Sequence, residues 1–104
     1  MSAGTVELVR GICTQHPDLS VQIGFQPNPD YGSNYTTVAV LNLPGHLFPA
    51  YESGDYNSET RLSVSGPDEG TSVLAVTRYH DDDVDAALQS ALDYITAAQA
   101  GVVQ

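Results

Sequence analysis

The stretch Val84-Asp85-Ala86-Ala87-Leu88-Gln89-Ser90-Ala91-Leu92-Asp93-Tyr94-Ile95-Thr96-Ala97-Ala98 decides the fold class. Val84, Ala87, Leu88, Ala91, Leu92, Ile95 and Ala98 recur at i, i+3, i+4, i+7, i+8, i+11 and i+14, one continuous stripe along a helix. Asp81, Asp82 and Asp83 supply an N-cap and carboxylates that complement the helix dipole. Gly101 stands where a left-handed residue closes a helix. The alanines of this helix allow it a close approach to a sheet.

Working back from that helix, residues 72–79 and 60–65 read as a hairpin around Gly66-Pro67-Asp68-Glu69-Gly70. In residues 35–43, Tyr35, Thr37, Ala39, Leu41 and Leu43 fall on one face and Val38 and Val40 on the other, the pattern of a central strand with both faces partly covered. Residues 19–26 alternate strictly: Leu19, Val21, Ile23 and Phe25 face one way, Ser20, Gln22, Gly24 and Gln26 the other. Before them, Val6, Leu8, Val9, Ile12 and Cys13 lie near helical spacing in residues 5–16, with Ser2 or Thr5 as cap and His16-Pro17 as terminator. The order α-β-β-β-β-α predicts class α+β: a four-stranded, mainly antiparallel sheet with N- and C-terminal helices packed on one face, in a single domain spanning residues 1–104. A meander is the simplest strand order; a terminal strand drawn inside the sheet is the alternative.

Charge narrows the function classes. Thirteen acidic residues face three arginines, Arg10, Arg61 and Arg78, and no lysine, for a formal net charge of −10. A P-loop and a Schiff-base site each require a lysine. Direct nucleic-acid binding and basic membrane anchoring draw on many cations, so neither is expected. Residues 1–11 lack the cationic start and apolar run of a signal peptide, and no apolar run approaches bilayer length. Cys13 has no second cysteine to pair with, so folding does not depend on oxidation. These features predict a soluble protein, cytoplasmic or packaged in a virion or larger assembly. The acidity fits either a high-salt source or a partner with a basic patch.

Motifs for catalysis are sparse. Counted from Asp81 as an EF-hand, the glycine position holds Ala86 and the glutamate position Leu92, so the acidic run reads as a charged helix N-terminus. Cys13 sits among the apolar positions of its helix and reads as a buried, inert thiol. In a meander, His16, His46 and His80 would share one end of the sheet with Asp18, Glu52, Asp55 and the carboxylates of residues 81–83. Imidazoles beside carboxylates can bind zinc, which gives the alternative reading of a small metal-dependent or acid–base enzyme. No HExxH or paired Cys/His spacing accompanies them, and no metal or other cofactor is expected.

The two long loops carry the stronger signal. Pro27-Asn28-Pro29-Asp30-Tyr31-Gly32-Ser33-Asn34-Tyr35 and Tyr51-Glu52-Ser53-Gly54-Asp55-Tyr56-Asn57-Ser58 hold four of the six tyrosines among Ser, Gly and Asn. Recognition loops use this composition, because tyrosine offers contact area at low entropy cost and the small polar residues adapt their hydrogen bonds. Tyr31, Asn34, Tyr35, Leu47, Phe48, Tyr51, Asp55 and Tyr56 are the expected partner-binding residues. Leu47, Phe48 and Tyr51 have a competing use, folding back to cover the sheet. In a meander the two loops lie at opposite ends, giving two contact surfaces unless the longer one reaches across. The expected function is a non-catalytic protein–protein interaction domain, an inhibitor or immunity-type protein or a small subunit of an assembly. Self-association by sheet-edge pairing is a further possibility, since Gln22, Gln26, Ser63 and Ser65 leave the polar sheet face without the lysines that discourage it.

Overall fold

A computed structural model describes residues 3–15, 18–28, 33–54, 60–66, 70–79 and 83–99. Among them run, in chain order, α1 (Ala3–Gln15), β1 (Ser20–Asn28), β2 (Ser33–Pro44), β3 (Tyr51–Ser53), β4 (Thr60–Ser65), β5 (Thr71–Arg78) and α2 (Val84–Gln99). The class is α+β, as the sequence predicts, but the sheet has five strands rather than four and its order is β1-β2-β5-β4-β3, every neighbouring pair antiparallel. The last strand is thus drawn inside the sheet, and the simple meander is overturned.

The physical reason lies in the segment between β2 and β3. After β2 the chain turns tightly, with the Leu47 and Phe48 amides donating to the Pro44 carbonyl at 3.1 and 3.2 Å. The Gly45 amide donates to the Gly70 carbonyl at 2.9 Å, and buried Ser72 donates its hydroxyl to the Phe48 carbonyl at 2.6 Å. The connection is therefore tied to the start of β5, which occupies the place beside β2. β3 pairs instead with the far side of β4, Tyr51 opposite Val64. Three residues are too few to display a period of two, so β3 leaves no trace in the sequence pattern.

β2 also departs from strict alternation. Its register against β5 shifts between Val40 and Leu43, and Asn42 adopts a φ of 69°. Asparagine tolerates this left-handed conformation better than most residues, and its side-chain amide donates to the Asp18 carbonyl at 3.1 Å. The irregularity turns Leu43 onto the face of Val38 and Val40, all three fully buried, instead of the face of Leu41 expected from alternation. The buried set Val38, Val40, Leu43, Val64, Leu74 and Val76 is one side of the sheet, closed by Ala87, Leu88, Ala91, Ile95 and Ala98 of α2 and Ile12 of α1. Val84 and Leu92 pack partly buried against the same core, so the predicted stripe is the stripe that packs.

The helices lie side by side, α2 over β2 and β5 and α1 beside it next to β1. A Cβ on Gly11 would come 3.2 Å from Leu92 Cδ2, so glycine permits the close approach that its poor helix propensity opposes. Gln99 donates to the Gln15 carbonyl at 3.2 Å, and Thr5 donates to Asp85 near the helix starts. Thr5 thus lies inside α1 and bonds across to α2 instead of capping. Asp83 does cap α2, accepting from the Ala86 amide at 3.1 Å. Cys13 is half-buried at the flank of α1 rather than fully buried.

Candidate functional site

The side of the sheet away from the helices carries the residues that alternate with the core. Register places Gln22, Ala39, Ala75 and Ser63 in one row, and Gly24, Thr37, Thr77 and Arg61 in the next. The Thr37 and Thr77 hydroxyls lie 3.3 Å apart. At the end of the sheet where β2 and β4 begin and β5 finishes, larger groups line up across four strands. The rings of Tyr35 and Tyr79 tilt at 43° with centroids 6.4 Å apart. Arg61 donates to the Tyr79 hydroxyl at 3.4 Å and forms an ion pair with Glu52 of β3. These bonds, first to Tyr79 and then to Glu52, raise the Arg61 pKa further and hold it cationic. An aromatic pair followed by a positioned guanidinium and an exposed carboxylate is suited to binding polar and apolar parts of another chain together. Arg61 and Tyr79 are not apparent from the sequence as site residues, because the β2–β5 register sets Tyr79 beside Tyr35 and the β4–β5 register adds Arg61 to them.

The same strand order relocates the tyrosine-rich segments. β1 ends and β2 begins at this end of the sheet, and so do the end of β3 and the start of β4. The two segments therefore leave the sheet at one end, separated by β5 alone, about 10 Å at ordinary strand spacing. Their expected placement at opposite ends depended on the meander and falls with it.

The expected binding residues divide accordingly. Tyr35 is half-buried on the face away from the helices, and Asn34 stands beside it in β2, paired with Pro27. Tyr51 is 42% exposed at the sheet edge on the helix side, where it stacks on Tyr94 of α2 with centroids 5.5 Å apart. Leu47 is 37% exposed at the opposite end of the sheet. Phe48 is fully buried, 6.1 Å from the Tyr94 ring, so it covers the core on the helix side and is withdrawn from the binding set. Tyr31, Asp55 and Tyr56 lie outside the described residues. Burial, followed by the charge of Tyr51, raises the Tyr94 pKa above its ordinary value of 10.0.

The histidine arrangement loses its basis. His46 follows β2 at one end of the sheet, while Tyr79, the residue before His80, follows β5 at the other. His16 and His80 themselves lie outside the described residues. Among the described residues no group of three or more His, Cys, Asp and Glu could hold a metal ion. No described helix is long and apolar enough to cross a membrane. No protein-family model matches the chain, and neither does any curated protein or solved structure.

Proposed function

We propose that this chain is a non-catalytic protein-interaction domain that engages a protein partner with one end of its sheet. The observation that supports it is the strand order, which brings the roots of both tyrosine-rich segments beside the Tyr35–Tyr79–Arg61–Glu52 row. Tyrosines and a positioned arginine are the residues that most often carry binding energy at interfaces. The net charge of −10 selects a partner with a basic patch, setting encounter rate and selectivity more than final affinity. Such a domain acts in the cytoplasm or inside a larger assembly, as an inhibitor, an immunity-type protein or a small structural subunit. The enzyme reading has no comparable support, since its three histidines depended on a meander.

The test is capture of the tagged chain from its native lysate at low and high salt, then rebuilding of the complex from purified components. The reading expects Tyr31→Ala, Tyr35→Ala and Tyr56→Ala each to weaken the rebuilt complex by about fivefold or more with the fold intact, and added salt to weaken it further. Recovery of the bare chain at both salts overturns the reading, as does a partner indifferent to all three tyrosines.

A further inference from the structure

The two edges of the sheet are built differently. β3 is three residues long and carries Glu52, paired with Arg61, so that edge is short and charged, as edges that resist pairing are. β1 is nine residues long, Ser20–Asn28, and holds no charged residue in a chain of net charge −10. Among the described residues no strand borders its outer side. Pro27, near its end, is its one usual deterrent.

The helix above this edge continues the pattern. At 100° per residue, Val9, Cys13 and Val6 lie about 160–220° around α1 from Gly11. Gly11 faces α2, and α1 lies on the β1 side of α2. Val6 and Cys13 therefore face outward above this edge, both half-buried, while half-buried Val9 beside them packs on the core. Phe25 stands 59% exposed on the helix side of β1, at a depression of about 440 Å3 that it lines with Thr5, Ile23 and Val84. A charge-free strand edge, an exposed phenylalanine and an apolar helix flank thus form one strip.

We infer that the chain forms a two-fold symmetric dimer in which β1 pairs antiparallel with β1 of a second copy and α1 lies against its counterpart. The strip is self-complementary under that operation. Antiparallel pairing centred on Ile23 preserves the period of two, so Ile23 meets its equivalent and Val21 meets Phe25 of the second copy on the helix side. Gln22 meets Gly24 of the second copy on the face away from the helices, and no charge opposes a like charge within the strand pair. A nine-residue strand is about 30 Å long, and sheet plus one helix layer stands about 20 Å high. The strip thus offers about 600 Å2 per copy, about 1,200 Å2 in total, the lower bound for a specific interface. The product is a ten-stranded sheet with a tyrosine-rich end at each extremity, hence a bivalent binder. The inference stands independently of the partner reading above.

Its test uses the purified chain alone. Sedimentation velocity from micromolar to submillimolar concentration, at low and high salt, should show mass rising from 11.0 kDa toward twice that value. Salt should strengthen association by screening two bodies of net charge −10, the opposite of its effect on a basic partner. Phe25→Lys, at an exposed position, should weaken the dimer by about tenfold or more although it lowers the mutual repulsion, and Val6→Glu should act likewise. Leu47→Lys, which lowers the repulsion equally but lies in the turn tied to β5, away from β1, should not weaken it. Amide exchange along β1 should slow with concentration. A monomer throughout the range at both salts overturns the inference, and so does a dimer that survives both Phe25→Lys and Val6→Glu.

Discussion

Replacing Phe48 with alanine separates the two uses open to the segment between β2 and β3. The ring is fully buried and lies 6.1 Å from Tyr94, so its removal forfeits apolar transfer energy and leaves a cavity. Losses of this kind run to about 3–5 kcal/mol, a third or more of the stability of a weakly stable domain. The backbone anchors survive, because Ser72 bonds the Phe48 carbonyl and the Phe48 amide bonds Pro44. Leu47, 37% exposed, buries only part of its side chain, and Leu47→Ala should cost about 1–2 kcal/mol. Urea unfolding followed by far-UV circular dichroism reads both, with a midpoint shift at constant slope marking a change in stability. Equal costs for the two substitutions would refute this placement. So would a Phe48→Ala chain that keeps its stability and loses its partner.

Other consequences concern the helices and their surroundings. Gly11→Val should destabilise by about 1–3 kcal/mol, since its branched side chain must displace Leu92 from 3.2 Å, and thermal unfolding would show a lower midpoint. Asp83→Ala should cost about 0.5–2 kcal/mol in urea unfolding, with Asp83→Asn keeping most of it because asparagine also caps. The raised Tyr94 pKa means the fold favours the neutral phenol; its contribution is whole below 10.0 and is lost as pH climbs through the higher folded value. Unfolding midpoints should therefore fall above pH 10, and Tyr94→Phe should flatten that decline.

Much of the fold could be read from periodicity. The α2 stripe packs where its spacing puts it, β1 keeps its alternation, and β4 and β5 form the hairpin that Gly66 and Gly70 permit at φ 85° and 92°. What escaped was set by contacts distant in sequence. Asn42 reorients Leu43 through its irregular register and a bond to Asp18, and no local pattern announces it. The place of β5 depends on the tie from Gly45 to Gly70 and from Phe48 to Ser72. The meander order carries its error into the site, separating tyrosine-rich segments whose roots share one end of the sheet and grouping histidines whose neighbours stand apart. Composition identified Tyr35 without its companions, because the opposition of Arg61 and Thr77 exists only in the folded register.

The central claim is that the two tyrosine-rich segments act as one surface, and a double-mutant cycle on the rebuilt complex tests it most directly. Affinities of the chain carrying Tyr31→Ala, Tyr56→Ala, or both would be measured against the same partner by titration calorimetry. One surface predicts a 1:1 complex that each single change weakens, with the doubly changed chain weaker than either. Loss confined to one tyrosine, or two partner molecules bound per chain with each tyrosine acting on one of them, would mean two separate surfaces and contradict the account.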